Sequence, residues 1–536
     1  MNESLQRLSF LLFSLLFLVV GVYQTSGRAD GQTSSASGSQ LPTVRGDKTR
    51  LDHALQLFRN GKFDEASQEY SAIHLDDPQT AEALVGLVRV YLKQKKIAEA
   101  YDTSVKAQAI DPHLDAVRAV MGEVYFRQGK LVEAEREFFD LAKANTKEAR
   151  AYLGLARVDW AASNYRLAKA DIDRAYRLDP ADPDIRKAWI HTLNRKERQD
   201  ALAAYLASPG NDDEEERRSL ESTLDLYKDD VRPCSLATAV TNAEINLDAL
   251  LIDQKHLRGY GLGVKVNGVS SKLLVDTGAA GILINRNTAE KAGIKPITRQ
   301  ELKGVGDKGA AGGFVGYADS VKIGSLEFHN CLIRVLEKSS VTGRDGIIGA
   351  DFFDDFLVDL DFPHEKLKLS QLPPRPGDPA PGTEESSTTV KFYDRYVSPE
   401  MRSFTPVYRF GHALLVNTQL NDLPPKLFLI DTGAFDNIIS TRAAREVTGV
   451  SSDSEVTVKG ISGKVENVFR ANKFTIQFGR LRQRNQDTIA FDTKRLSDSL
   501  GTEVSGMLGF ALLTLTEIKI DYRDGLVDFI YNYRPR

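Results

Sequence analysis

Two aspartates supply the residue type and the setting from which hydrolytic chemistry can be built. Asp276 ends the first apolar run of LLVDTGAAGILI (273–284), Asp431 ends that of LFLIDTGAFDNIIS (427–440), and each opens the turn Asp-Thr-Gly-Ala. Short apolar runs of this kind read as buried strands, and a carboxylate delivered by a buried strand is costly to desolvate without partners. Two carboxylates close enough to share one proton cannot both ionise. The ionised one is then a general base toward a water, while the protonated one donates to the carbonyl oxygen under attack. No covalent intermediate is needed. The competing structural reading is an Asp that caps its own turn, and for a lone Asp-Thr-Gly that reading would be preferred.

The elements around each motif argue against it, because they are duplicated too. With Asp276 laid on Asp431, Ala279 falls on Ala434, Leu283 on Ile438, Ile284 on Ile439 and Ala289 on Ala444. Further on, DGIIGADFF (345–353) answers SGMLGFALL (505–513), and VDLDF (358–362) answers IKIDY (518–522). A strand-rich unit of roughly a hundred residues therefore occurs twice.

Each unit resembles a retropepsin-like aspartic protease lobe. The resemblance rests on apolar-apolar-Asp-Thr-Gly-Ala, on a glycine-bearing hairpin, and on an apolar-apolar-Gly segment, Ile347-Ile348-Gly349 in one copy and Met507-Leu508-Gly509 in the other. It covers about 258–372 and 405–533, and the whole chain is similar to bacterial aspartyl-protease-family proteins with tetratricopeptide repeats. By that resemblance Asp276 and Asp431 are the catalytic pair, and Thr277 and Thr432 hydrogen-bond across the lobe interface. Gly278 and Gly433 allow backbone conformations and a close approach that a Cβ would obstruct. The flaps that close over a peptide are Gly304-Val305-Gly306 in the first lobe and Gly460, Ile461 and Gly463 in the second. The second flap is less glycine-rich, which leaves open whether both close equally. Residues 304–309 also match G-x-G-x-x-G, but a dinucleotide site requires that motif to open a helix, and here further glycines and a strand-like VKIG follow.

Ahead of the lobes an internal period of 34 is countable. Ala66, Ala100, Ala134 and Ala168 stand on it, as do Pro78, Pro112 and Pro180, and Gly61 and Gly129 share the grid. Small residues where helices touch, with Asp-Pro ending the second helix, resemble the tetratricopeptide repeat. Four units fit, at about 47–78, 79–112, 113–146 and 147–180, with a helical cap over 182–207. The fold class is thus multidomain: an all-α tetratricopeptide-repeat solenoid followed by two all-β retropepsin-like lobes. The expected segments are a signal peptide or membrane anchor (1–27), a Ser/Gly/Thr-rich tether (28–46), repeats (47–207), a linker with a solvated acidic run (208–230), the first lobe (231–372), a Pro-rich linker (373–400) and the second lobe (401–536).

Composition narrows the partners. With 536 residues, 42% apolar and 27% charged, the chain has a globular balance, and its net charge of -4 argues against nucleic acid. The uncharged run 8–23 falls short of a bilayer's hydrocarbon thickness, which favours a cleaved signal peptide, with a tilted anchor as the alternative. Either way the body is exported. The only cysteines, Cys234 and Cys331, form one disulfide or remain two buried thiols. The eight histidines are scattered, so no metal and no cofactor is expected, and no G-x-S-x-G elbow or Walker A loop is found. These readings converge on an exported aspartic endopeptidase whose repeats recruit a peptide or protein substrate, or a protein partner. The alternatives are a catalytically silent peptide-binding scaffold and an enzyme assembled by lobe pairing between chains.

Overall fold

The computed structural model of the chain describes residues 44–73, 80–208, 210–228, 233–237, 240–251, 257–338, 345–378 and 391–532. The apolar run 8–23, most of the tether and Pro78 lie outside the described residues. Among those described, no helix is long and apolar enough to cross a membrane.

The N-terminal half is helical: α1 (Val44–Arg59), α2 (Phe63–Ser71), α3 (Thr80–Lys93), α4 (Ile97–Ile110), α5 (Asp115–Arg127), α6 (Leu131–Ala144), α7 (Ala149–Ala161) and α8 (Tyr165–Leu178) form four successive pairs. Ala66, Ala100, Ala134 and Ala168 are completely buried, and Gly86 and Gly154 lie against the rings of Tyr70 and Phe138, so small residues set the helix spacing. The helix stops have a specific chemistry. Asp111, Asn145 and Asp179 stand 34 apart, and each side chain accepts a backbone N–H two residues on, at 2.9, 2.9 and 3.1 Å. The turns inside the pairs are equally regular, with Gly61, Lys95, Gly129 and Ser163 at φ of 74°, 59°, 72° and 61°. Glycine meets that requirement freely, and Lys and Ser meet it at a cost.

The expected cap is two helices, α9 (Pro183–Thr192) and α10 (Arg195–Leu206), because Asn194 accepts from Glu197 N and starts a new helix. The expected linker 208–230 is not one. It contains α11 (Glu214–Lys228), whose first turn carries Glu214, Glu215 and Glu216 where the helix dipole favours acids. Nor is its acidic run a solvated face, since Lys187 is held by Asp212 at 2.5 Å and by Glu216 at 2.6 Å. The Pro-rich linker is likewise docked at its far end. Tyr393 O accepts from Tyr165 N (3.0 Å), Asp394 accepts from Leu167 N (3.0 Å), and Phe392 packs on Trp160.

The two lobes are strand-rich and joined by a six-stranded sheet to which both contribute. Its central antiparallel pair is Phe356–Asp361 with Thr516–Asp521, so the duplicated VDLDF and IKIDY segments face one another, Val358 opposite Ile520. Strand Asn242–Asn246, expected to lead into the first lobe, forms an edge of this shared sheet instead. Cys234 and Cys331 are disulfide-bonded, tying that entering segment to the first lobe. One continuous apolar core runs through both lobes, including Tyr260, Phe362 and Phe510, whose ring centroids lie 5.6–5.7 Å apart. This sheet and core, rather than the linker, fix how the lobes face.

Candidate active site

Strand Val269–Asp276 runs parallel to Gly346–Gly349 and brings Asp276 level with Gly349; Lys426–Ile430 runs parallel to Gly506–Leu508 in the same way, with Asp431 N donating to Leu508 O at 3.0 Å. The two Asp-Thr-Gly turns therefore leave equivalent strands and meet at the lobe boundary. Thr277 Oγ1 donates to Ile430 O (2.8 Å) and accepts from Thr432 N (3.0 Å). Thr432 Oγ1 donates to Val275 O (3.0 Å) and accepts from Thr277 N (3.0 Å). Both threonines are buried, so leaving any of these groups unpaired would cost roughly 1–3 kcal/mol.

This lattice seats the carboxyl groups of Asp276 and Asp431 within hydrogen-bond reach of each other. Asp276 Oδ1 accepts from Gly278 N at 2.8 Å, whereas Asp431 Oδ1 accepts from both Gly433 N and Ala434 N at 2.9 Å. Burial, reinforced by the charge of Asp431, pushes the Asp276 carboxyl far above the usual carboxylate range. Burial raises Asp431 as well, but the N–H groups of Ala434 and Gly433 pull against it. An added Cβ on Gly278 would lie 2.8 Å from Asp431 Cγ, and one on Gly433 would overlap the Asp276 carboxylate. Neither glycine has a positive φ. Close approach is what requires them, and not backbone freedom.

The two segments expected to be flaps are interlocked. The first is the tip between strands Thr298–Leu302 and Ala311–Ile323; the second is the short hairpin of Lys459–Gly460 with Gly463–Lys464. Gly304 N donates to Ser462 Oγ (3.1 Å), Ser462 N to Val305 O (3.1 Å) and Lys308 N to Ser462 O (2.8 Å). The tips also exchange partners. Ile461 packs on the core of the first lobe, beside Ala279, and Val305 packs on that of the second, beside Ala434. Gly306 and Gly460 sit at the crossing, where a Cβ would strike the opposite backbone. The second flap engages as fully as the first despite having fewer glycines.

Residues 262–355 match the family described as "gag-polyprotein putative aspartyl protease", and residues 416–512 match the aspartyl protease family. The chain carries two aspartyl protease domains. Residues 51–114 match the tetratricopeptide repeat family. Among solved structures, an aspartic proteinase from Irpex lacteus aligns at 14% identity and TM-score 0.32, over 54% of this chain and 97% of that one. A thermophilic TPR protein of Thermus thermophilus aligns at 24% identity and TM-score 0.28, over 33% of this chain and 98% of that one. No curated protein matches the chain.

The protease domains also exchange a pair of groups that sequence reasoning missed. Arg258 of the first donates to Gly433 O of the second at 2.9 Å, and His412 of the second donates through Nε2 to Gly278 O of the first at 3.0 Å. The two occupy equivalent positions, because Gly261 faces Leu274 as Leu415 faces Leu429. The signal that would have found them is the repeat offset, which in these strands is 154 instead of 155 and so hides the match. Arg258 places a cation beside the dyad, which favours carboxylate ionisation. His412 does not: burial and the nearby Arg334 push its imidazole down to about 4, so it is neutral under ordinary conditions.

Proposed function

We propose that this protein is an exported aspartic endopeptidase that hydrolyses peptide bonds with a water held between Asp276 and Asp431. The observation that carries this reading is the hydrogen-bonded pair of carboxyl groups, Asp431 buried and Asp276 half-buried, where the two Asp-Thr-Gly turns meet. Asp431, with two backbone donors on its Oδ1, holds the negative charge and is the base that takes a proton from the water. Asp276 holds the shared proton and donates it to the scissile carbonyl oxygen as the water oxygen bonds to the carbonyl carbon. The tetrahedral diol then collapses: its C–N bond breaks, the amine nitrogen takes up a proton, and a carboxylic acid and an amine are released.

The substrate in this reading is an extended chain lying between the dyad and the flaps. The crossed flap tips, Ile461 over the first domain and Val305 over the second, give apolar walls on both sides, which supports preference for apolar side chains flanking the cleaved bond. Export is supported by the run 8–23 and by the Cys234–Cys331 disulfide, a bond that persists in oxidising compartments. The repeats recruit a substrate or partner through a surface other than the inner face, which packs on the second protease domain.

The test is cleavage of a mixed peptide library at several pH values by the parent, Asp276→Asn and Asp431→Asn. Each single substitution is expected to abolish cleavage, by at least about 100-fold. Cleavage surviving one of them would mean that like domains pair between chains, and an inert parent would mean that the module holds peptide without turning it over.

A further inference from the structure

The inner face of the solenoid is not open groove. The second protease domain closes it: Phe126 packs on Phe410 at 6.0 Å, Thr502 Oγ1 donates to Phe126 O at 2.8 Å, and Glu503 N donates to Arg127 O at 3.0 Å. Between the two remains a cavity of about 190 Å³ that runs along the first helices of the repeats, from Phe58 to Trp160, with Phe410 and Leu500 opposite. Its walls are mostly apolar, but it contains more cations than anions.

The ion pairs can be assigned one by one. Arg150 is held by Glu123 (2.9 Å), Asp182 (2.6 Å) and Asp184 (3.3 Å), Lys93 by Asp184 (3.0 Å), and Lys187 by Asp212 and Glu216. These pairs use every carboxylate that lines the cavity. Arg89 and Arg157 also line it, and neither makes a hydrogen bond or ion pair among the described residues; Arg89 Nε is fully buried and unpartnered. A buried cation without a counter-charge is expensive. Burial and the neighbouring Arg150 accordingly hold the Arg89 guanidinium below its usual range, and Arg127 is pushed down to about 10 by burial with Arg157 beside it.

We infer that this cavity binds a small amphiphilic anion, a carboxylate or phosphate head on an apolar body, with Arg89 and Arg157 on the head and Phe126, Trp160, Phe410 and Leu500 around the body. A peptide fits the walls less well. Its buried N–H groups would need acceptors, and the lining has no Asn or Gln and no carboxylate left unpaired. Guanidinium groups offer donors only, which suits a ligand that is all acceptor at one end and hydrocarbon at the other. Because the walls come from both the repeats and the second protease domain, an occupant also fastens the two together. None of this depends on turnover at the dyad.

Decanoate and decyl phosphate serve as probes of the two head groups, with decanol as the uncharged control and an acidic peptide with a free C-terminus as the competing class. Binding to the full chain is read by fluorescence, to which Trp160 reports from the cavity wall, and by thermal shift. At least one anionic probe is expected to bind about tenfold or more tighter than decanol, and which head group prevails identifies the source. Arg89→Gln and Arg157→Gln should each remove most of that preference, and Arg89→Gln should also raise the melting temperature of the unliganded protein, since it deletes a guanidinium whose buried Nε has no partner. Leu500→Trp, which fills the cavity, should abolish binding but leave peptide cleavage intact. Equal binding of decanol, binding indifferent to both arginine variants, or binding of the acidic peptide with neither anionic probe bound would overturn the inference.

Discussion

In the second protease domain the aspartate carboxylate accepts two backbone N–H groups, from Gly433 and Ala434, whereas in the first Asp276 accepts one, from Gly278. The second domain also receives a cation on its turn carbonyl, from Arg258, while the first receives the neutral imidazole of His412. The threonine lattice that joins them shows no such difference, with four bonds of 2.8–3.0 Å related by the pseudo-two-fold. Symmetric bonds set where the two carboxyls sit. The unsymmetric ones hold Asp431 back while burial and its neighbour raise Asp276 far. A duplicated sequence thus supplies the frame, and in the proposed mechanism small departures from duplication would divide the acid and base roles.

That division can be broken most severely at the two glycines. Gly433→Ala forces a methyl onto the Asp276 carboxylate and should cut peptide cleavage by about 100-fold or more. Gly278→Ala meets Asp431 Cγ at 2.8 Å and should cost less. Equal losses in steady-state cleavage would show that the two sides of the dyad are interchangeable.

The lattice should behave in the opposite way. Thr277→Ala and Thr432→Ala each leave one buried N–H and one buried C=O without a partner, so each should destabilise the protease body by about 2–4 kcal/mol, and by the same amount within error. Denaturant unfolding of the pair checks this; a clear inequality would break the symmetric half of the comparison.

A third contrast lies in what holds each domain from outside. Gly129 has φ 72°, and an added Cβ would lie 3.0 Å from Glu503 O of the second domain, so Gly129→Val adds backbone strain and a tight contact there and should cost about 2 kcal/mol. Hydrogen exchange should show the loosening around 500–504 and not in the first domain.

The smallest effects are pH effects of opposite sign. The folded-state pKa of Asp276 is raised, so its contribution to stability is complete below the ordinary carboxylate pKa and is lost as pH rises through the raised value. Asp276→Asn should therefore melt higher than the parent near neutral pH. His412 is lowered from 6.5 to about 4, so its contribution is present above 6.5 and is lost as pH falls toward 4. His412→Gln should melt higher than the parent only in that acid window, by about 2–4 °C. Arg258→Gln removes a cation that favours ionisation of both aspartates, and should move the acid limb of the cleavage profile up by about one pH unit; His412→Gln should leave that limb in place.

Much of this was legible without coordinates. The doubled Asp-Thr-Gly and the apolar-apolar-Gly segments marked the strands that run side by side behind each turn, and the alanines at a period of 34 marked the helix contacts, because both signals are local and periodic. What escaped had no local signature. The run DDEEERR reads as a solvated stretch until α11 and Lys187 give Asp212 and Glu216 something to neutralise. Residues 391–396 read as linker, yet backbone and side-chain bonds strap them onto the fourth repeat. Arg258 and His412 are single residues whose equivalence appears only once strand register is known.

By itself the sequence determined the parts: four helix pairs, two strand-rich units, and one carboxylate at a buried strand end in each. Repetition of a short pattern is enough for that, since periodicity and turn chemistry act over a few residues. Tertiary structure alone decided that the two carboxyls share one site within a single chain, that the flaps cross, and that the solenoid's inner face is walled by the second protease domain. Those outcomes depend on contacts between residues far apart in the chain, made when Val358 pairs with Ile520 and Phe126 packs on Phe410, and no spacing along the chain encodes them.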